Sequence, residues 1–186
     1  MNTNQLNISL VTMCIRPCLA AFLVAALGAT DVADAATQIW DNGSGNSLWD
    51  TTSLNWGGAA WTAGNDADFE ATGVGTITVS GTNTVGAGAD TPITINAPGY
   101  TLTGGVLNFP TTGASTFLVN NDAEIDSILS DPNATSTLIQ TGAGTLTLNP
   151  GAAGTNTWGI LQATTGRLTV KSGTLNLIGG ANGPKT

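Results

Sequence analysis

The sequence lacks histidine altogether, and its two cysteines, Cys14 and Cys18, both lie near its start. Without histidine there is no imidazole general base, no Ser-His-Asp or Cys-His triad and no histidine ligand for zinc. Both cysteines fall in a segment that we expect to be removed, so the mature chain has neither a disulfide nor a thiolate metal ligand. We therefore predict that the protein is not an enzyme and has no catalytic residues, no metal site and no cofactor.

Charged residues are also scarce, at 9% of the chain, and most are negative, which gives a net charge of −8. Binding to nucleic acid needs clustered basic side chains that neutralise phosphates. The chain has four basic residues, at Arg16, Arg167, Lys171 and Lys185. We therefore exclude nucleic acid as a partner. The scattered acidic residues are better explained by solubility than by an electrostatic binding surface.

The first 35 residues have the three parts of a secretory signal peptide. Arg16 supplies the positive charge, residues 19–29 form a short apolar core, and residues 33–35 read Ala-Asp-Ala, the A-x-A pattern of a cleavage site. We expect cleavage between Ala35 and Ala36. The apolar core is about a dozen residues long, too short to span a bilayer as a helix. The sequence therefore predicts export and a mature chain with no transmembrane segment.

Beyond residue 70, apolar and polar residues alternate in short runs such as "GTITVSG" (75–81) and "GTLTLNPG" (144–151). Leu, Ile or Val at every second position places the apolar groups on one face of a strand. Gly or Asn at the ends of the runs supplies the backbone freedom that a turn needs. Similar runs occur at 91–99, 100–109, 115–121, 136–142, 159–166, 166–173 and 173–180. Since no helix-length segment separates them, we predict an all-β fold.

Two all-β architectures are compatible with these runs. Antiparallel sandwiches and barrels use hairpins, but the strongest hairpin dipeptide, Asn-Gly, occurs only at 42–43 and 182–183, outside the strand region. The motif G-x-L-x-[VL] recurs instead at 144–148, 166–170 and 173–177. Its return after roughly one turn of a solenoid favours a parallel β-helix, in which consecutive turns of chain stack on one another.

Two motifs carry a family resemblance. Residues 141–148 read TGAGTLTL and residues 172–177 read SGTLNL. With these motifs, the stretch 136–180 resembles the autotransporter-associated β-strand repeat, in which a T-G-x-G-T-L-x-L strand leads through a turn to a second strand and a closing G-x-L-x-[VL] segment. The tryptophan-rich stretch 40–69 is similar to the segment that commonly precedes such repeats. One departure is Gln140, which stands where lysine is usual.

The resemblance implies a right-handed parallel β-helix that is exported to a bacterial cell surface, often as an autotransporter passenger domain. It divides the chain into a signal peptide (1–35), a Trp-rich N-terminal capping segment (36–70), the β-strand repeats (71–180) and a disordered or truncated tail (181–186). We therefore expect an extracellular or outer-membrane-associated protein with a structural or adhesive role. Its partners would be surface glycans or other cell-surface proteins.

The tryptophans that precede the repeats have two interpretations. As a cap, their rings would cover the open first rung of a β-helix, whose unpaired backbone groups would otherwise template aggregation. As an extracellular carbohydrate-binding module, exposed rings would stack on sugars. The sugar-binding candidates are then Trp49, Trp56 and Trp61, beside the polar groups of Asn42, Asn55 and Asp66. We favour the cap, because one ordered end needs several bulky residues, whereas a platform usually has two or three coplanar rings.

Carboxylates are the remaining candidates for chemistry. Asp122, Glu124 and Asp126 occupy alternate positions of one strand face, about 6.5 to 7 Å apart, near the spacing found in inverting glycosidases. The same alternation is typical of a half-buried strand with its polar face in water, which is the interpretation we favour. A lyase acting on acidic polysaccharides would also need basic groups, here Arg167 and Lys171 on one strand face. A polysaccharide-cleaving enzyme is therefore the third hypothesis.

Overall fold

The computed structural model describes residues 35–86, 91–109, 114–130, 137–149 and 167–178. Within these ranges the chain forms thirteen β-strands and no helix. The described residues belong to one compact unit, Asp34–Thr186. The predicted signal peptide up to residue 34, the predicted strand at 159–166 and the predicted tail at 181–186 lie outside the described residues.

The strands alternate between two sheets as the chain proceeds. The first sheet has the order β1 (Thr37–Trp40), β3 (Asp66–Phe69), β5 (Ile93–Ile95), β7 (Ala114–Val119), β10 (Thr137–Thr141) and β12 (Arg167–Val170). The second has the order β2 (Leu48–Trp49), β4 (Thr76–Thr84), β6 (Tyr100–Asn108), β8 (Ala123–Ile125), β11 (Thr145–Leu148) and β13 (Thr174–Leu177). One further strand, β9 (Ile128–Ser130), pairs with the second half of β6.

All the pairings between these strands are parallel. In the first sheet, Phe117 lies opposite Ile93 of the preceding strand and opposite Gln140 of the following one. Parallel neighbours cannot be joined by a two-residue hairpin, so the chain crosses to the other sheet between them. The prediction of an all-β fold is confirmed, and its sheets are parallel. The antiparallel alternative is wrong for the described strands.

The alternation of the sequence decides which side chains form the core. In β7, Ser115, Phe117 and Val119 are buried, while the residues between them are half-exposed. Inward side chains from both sheets, such as Ile93 and Leu102, join one hydrophobic cluster. Burying each such side chain stabilises the fold by about 1.5 to 3 kcal/mol, so the stack of inward rows supplies most of the driving force for folding.

A tight turn between β10 and β11 shows why glycine is needed there. Gly142 has a φ of 98°, a left-handed conformation that other residues rarely adopt. A Cβ at this position would collide with the backbone carbonyl of Val119 in the neighbouring strand β7. The predicted turn glycine of the TGAGTLTL motif therefore serves two needs, the backbone angle and the close approach of successive strands.

The Trp-rich segment forms the first strands of both sheets. We had expected it to precede the sheets. β3 lies before the predicted boundary at residues 70–71, yet it pairs with β5 beyond it. Trp40 is paired with Phe69, which is paired in turn with Ile95 and, through it, with Val119. The large rings thus occupy the same inward row as the aliphatic residues of later strands, which explains why the segment and the repeats share one core.

Candidate functional site

The tryptophan cluster, defined here as Trp40, Trp49, Trp56 and Trp61, fills the core at the end of the sheets formed by β1 and β2. Its ring centroids lie 5.1 Å apart for Trp40–Trp56, 4.8 Å for Trp49–Trp56, 5.0 Å for Trp49–Trp61 and 4.6 Å for Trp56–Trp61. These separations and their mostly edge-to-face angles are those at which aromatic pairs attract. Each of the four tryptophans is at most 3% exposed.

This burial corrects the sugar-platform interpretation of Trp49, Trp56 and Trp61. A sugar can stack only on an aromatic face that is open to solvent, and these three residues are buried. Trp61 also directs its indole N–H inward, to the carbonyl of Thr84 at 3.1 Å. The three rings are therefore placed to stabilise the amino-terminal end of the sheets, and none presents a face to a ligand.

The polar groups expected beside the platform are engaged within the same segment. Asn55 is fully buried; its Oδ1 accepts a backbone N–H and its Nδ2 donates to the carbonyl of Leu48 at 2.8 Å. Asn42 has a positive φ of 53°, and its Oδ1 accepts the N–H of Ser47 at 2.9 Å. Asp66 begins β3. These asparagine side chains hold the loop that folds the tryptophans together.

Two further polar residues of this region were not predicted from the sequence. Asn83 is buried, and its Nδ2 donates to the carbonyl of Trp49 at 2.9 Å. The Tyr100 hydroxyl oxygen lies 2.5 Å from the carbonyl of Glu70 and 2.8 Å from that of Thr72, so its one proton is shared between these two acceptors. Burial, followed by the charge of Glu70, raises the pKa of Tyr100 to about 12. The alternation of the sequence could have indicated that both side chains are buried, because Asn83 and Tyr100 stand at inward positions of alternating runs.

The acidic row, defined here as Asp122, Glu124 and Asp126, lies on the outward face at β8. Ala123 and Ile125 point inward and are buried, while the three acidic residues are exposed or half-exposed. The predicted alternation of a half-buried strand is therefore present. This arrangement explains the spacing of the carboxylates without any catalytic role.

Two carboxylates of the acidic row accept hydrogen bonds from the next segment of the second sheet. Asp122 Oδ1 accepts the N–H of Thr145 at 2.7 Å, and Glu124 Oε1 accepts Nδ2 of Asn149 at 3.0 Å, so both tie β8 to the β11 segment. Asp126 lies next to Glu124, and its Oδ1 is buried without a hydrogen-bond partner. Burial, followed by the charge of Glu124, raises the pKa of Asp126.

A shallow groove of about 350 Å³ runs over this face and is lined in part by Thr101, Glu124 and Thr147, which are paired across three neighbouring strands. The two basic residues expected beside the carboxylates lie elsewhere. Arg167 is the first residue of β12 in the other sheet, and Lys171 follows the end of that strand. The structure therefore does not bring the predicted acidic and basic groups together.

In the described ranges, no group of three or more His, Cys, Asp or Glu residues is placed to hold a metal ion. The same part of the chain contains no helix with the length and apolarity to cross a membrane. No protein-family model, curated protein or solved structure matches the chain.

Proposed function

We propose that the protein is an exported β-helical protein of the bacterial cell surface or extracellular space, with a structural or adhesive role. In this proposal consecutive turns of chain stack in one direction as a right-handed parallel β-helix, and the tryptophan cluster closes its first turn. The observation that carries it is the parallel ladder that joins Trp40 to Phe69, Phe69 to Ile95 and Ile95 to Val119.

The order of the pairings supports a β-helix. Phe117 pairs with Gln140, 23 residues later, and Gln140 pairs with Val170, 30 residues later. In the second sheet, Leu146 pairs with Leu175 in the same sense. A β-helix produces this pattern, because each turn contributes one strand to each sheet and stacks on the turn before it.

The side-chain arrangement supports a structural or adhesive role over a catalytic one. The tryptophans stabilise the core, and the carboxylates Asp122 and Glu124 bind the neighbouring strand. The outward positions of the second sheet form polar rows, such as Thr101, Glu124, Thr147 and Asn176. A regular polar surface of this kind suits contacts spread over many residues, as an adhesive or scaffolding protein makes them.

Export is tested by expressing the full coding sequence in a Gram-negative bacterium and measuring the mass of the recovered protein. Cleavage between Ala35 and Ala36 is expected, with the protein accessible to protease added to intact cells or found in the medium. The control replaces Ala33 and Ala35 with arginine, which removes the A-x-A pattern. Wild-type protein that remains uncleaved in the cytoplasm would contradict the proposal.

Sugar binding by the tryptophan segment is separated from this role by fluorescence. The Trp158→Phe background confines the signal to the four residues of the tryptophan cluster. Because these rings are buried, titration with soluble glycans should leave both the intensity and the emission wavelength unchanged. A saturable shift on adding a glycan would show that the rings become accessible, and would replace the structural role with a carbohydrate-binding one.

A further inference from the structure

The exposed apolar side chains concentrate at the two ends of the sheets. Within the described residues, the large apolar side chains that are exposed are Ile39, Leu54, Val74, Val170, Leu177 and Ile178. The first three precede β4, near the end formed by β1 and β2, called here the amino-terminal end. The last three belong to the carboxy-terminal end, formed by residues 167–178 with β12 and β13. The described strands between the two ends bury their apolar rows.

At the carboxy-terminal end, inward side chains are exposed to solvent, whereas their partners on the preceding strands are buried. Val170 is paired with Gln140, and Leu177 with Leu148. Gln140 and Leu148 are each 1% exposed, whereas Val170 and Leu177 are 45% and 43% exposed. Among the described strands, β12 and β13 each pair on one side only. Such an edge is prone to bind another protein surface, because it offers apolar side chains and backbone groups together.

The two ends carry opposite charge. Residues 35–65, which form the amino-terminal end, contain Asp41 and Asp50 and no Lys or Arg. Residues 167–178 contain Arg167 and Lys171 and no acidic residue. The chain as a whole is acidic, so a basic segment at one end is a departure from its overall charge. Complementary charge steers association and fixes which surfaces meet.

The amino-terminal end offers a matching apolar contact. Leu54 is 53% exposed, and its backbone N–H is held by Ser44 Oγ at 2.8 Å. Asp50 lies in the same loop and accepts the N–H of Ser53 at 2.5 Å. That bond, opposed by some burial, lowers the pKa of Asp50, which keeps the carboxylate ionised. The amino-terminal end thus combines an exposed leucine with a stably ionised carboxylate, and the carboxy-terminal end combines the exposed Val170 and Leu177 with Lys171.

We propose that the two ends bind each other, so that the carboxy-terminal end of one copy docks onto the amino-terminal end of a second copy. A tail-to-tail dimer would place the basic residues of both copies together with no acidic residue to pair them. A head-to-tail contact joins unlike surfaces and leaves each copy a free end for the next, so assemblies can grow beyond a dimer. This inference goes beyond the proposed function and is independent of export.

The contact is expected to use side chains more than a continuous strand ladder. At the amino-terminal end, the N–H of Asp41 already donates to the carbonyl of Asn55, and Gln38 Oε1 accepts the N–H of Thr62. Trp40, the last residue of β1, also forms an antiparallel bridge with Trp56, so an incoming strand cannot pair along the whole length of β1. Association should therefore be reversible and sensitive to salt.

The test is analytical ultracentrifugation of the protein expressed from its full coding sequence and purified in the form the cell leaves. In about 0.01 M salt the mean mass should rise with concentration, and in about 1 M salt, where charges are screened within about 3 Å, the dissociation constant should increase by about tenfold or more. A protein that stays monomeric in low salt at every concentration would overturn the proposal.

Two end-blocking variants decide the geometry. Leu54→Lys places a positive charge on the amino-terminal end, and Leu177→Glu places a negative charge on the carboxy-terminal end, so each should be monomeric alone. Their equal mixture should form a heterodimer that grows no further, because each copy retains one working end. Thr116→Glu, on an outward position of β7 between the two ends, is the control and should associate like the wild type. Circular dichroism verifies that all three are folded.

Other outcomes of the mixing experiment overturn the proposal. If Leu54→Lys alone still dimerises while Leu177→Glu does not, the contact is tail to tail. If neither substitution weakens association, the ends are not the contact surface. If both variants are monomeric alone and their mixture is monomeric too, the two ends do not bind each other.

Discussion

Trp49 and Trp56 pack edge to face, with ring centroids 4.8 Å apart and ring planes at 62°, and neither residue is more than 2% exposed. Trp49 lies at the end of β2, while Trp56 forms an isolated antiparallel bridge with Trp40 of β1. The segment between them therefore folds back across the first strands of both sheets. Their contact makes the tryptophan-rich segment part of the core and gives it a measurable share of the stability.

Replacing a buried ring should therefore cost much more than replacing its exposed neighbour. Trp49→Ala removes a fully buried ring, and we expect the free energy of unfolding to fall by about 3 to 5 kcal/mol. Ile39→Ala, which alters a side chain that is 49% exposed on β1, should cost under about 1 kcal/mol. Urea unfolding followed by circular dichroism measures both. Equal losses in the two variants would contradict the cap.

Tyr100 should couple stability to high pH. It is the only tyrosine, so the ultraviolet absorbance of phenolate reports on it alone. An unfolded tyrosine ionises near 10.0, whereas burial and Glu70 raise the pKa of Tyr100 to about 12 in the folded protein. The folded state thus holds its proton longer, so this contribution to stability is complete below pH 10 and is lost as the pH rises through 12.

The measurement is an absorbance titration run beside unfolding curves at each pH. Tyr100→Phe is the control: it loses the bonds to the Glu70 and Thr72 carbonyls, and its stability should not change with pH in this window. Ionisation of Tyr100 near its ordinary pKa with the fold intact would show that the hydroxyl is not held as described.

Gly142 and Gly45 allow a steric effect to be separated from a backbone effect. Both have positive φ, 98° and 68°, but a Cβ on Gly142 would collide with Val119, whereas a Cβ on Gly45 meets nothing within 4 Å. Gly45→Ala should therefore cost about 1 to 2 kcal/mol from the backbone angle alone. Gly142→Ala should cost clearly more, as measured by thermal unfolding. Similar losses would mean that β7 and the β10–β11 turn are further apart than described.

Asp126 should reduce stability at neutral pH. Its pKa is raised in the folded state, first by burial and then by Glu124, so the folded protein binds a proton more readily than the unfolded chain. This contribution is complete below an unfolded pKa of about 3.8 and is lost as the pH rises through the raised value. We expect Asp126→Asn to gain about 0.5 to 1 kcal/mol at neutral pH, a small value because the site is partly exposed.

The matched control for Asp126 is Asp50→Asn, for which the sign is opposite. Hydrogen bonds from Ser53, opposed by some burial, lower the pKa of Asp50, so its contribution is present above pH 3.8 and is lost as the pH falls through the lower folded value. Asp50→Asn should therefore be less stable at neutral pH. Urea unfolding at several pH values separates the two variants, and a loss of stability in both would refute the assignment for Asp126.

The positions of most strands could be predicted from the sequence because alternation is a local property. The runs at 100–109 and 115–121 correspond to β6 and β7, and the polar face of the acidic row follows from the same rule. Parallel pairing was inferred from the recurrence of the G-x-L-x-[VL] motif. No local signal distinguishes parallel stacking from an antiparallel meander that lacks strong hairpin turns.

The contacts between strands could not be predicted, because they depend on the length of chain between one strand and its partner. Gln140 is 1% exposed, and its Nε2 donates to the carbonyl of Thr174 at 2.8 Å, a contact across strands that no local pattern indicates. The burial of Trp49 is a second case. The rings that enclose it, those of Trp56, Trp61 and Phe69, come from later in the chain, and no pattern around Trp49 itself indicates them.

The stacking of consecutive strands in register is most directly tested by engineered disulfides. Thr94 is paired with Leu118, and Leu118 with Thr141, on three neighbouring strands of the first sheet. Adjacent strands lie about 4.8 Å apart, within the Cα separation that a disulfide bridges, whereas alternate strands lie about 9.6 Å apart, beyond it. Cysteine pairs at these positions are introduced with Cys14 and Cys18 replaced by alanine, so that only the new thiols react.

Under mild oxidation, mass spectrometry of the folded protein should detect disulfides for the 94–118 and 118–141 cysteine pairs and none for the 94–141 pair. This result would place the three strands side by side in chain order. A disulfide in the 94–141 pair, with none in the two neighbouring pairs, would contradict the stacked parallel arrangement.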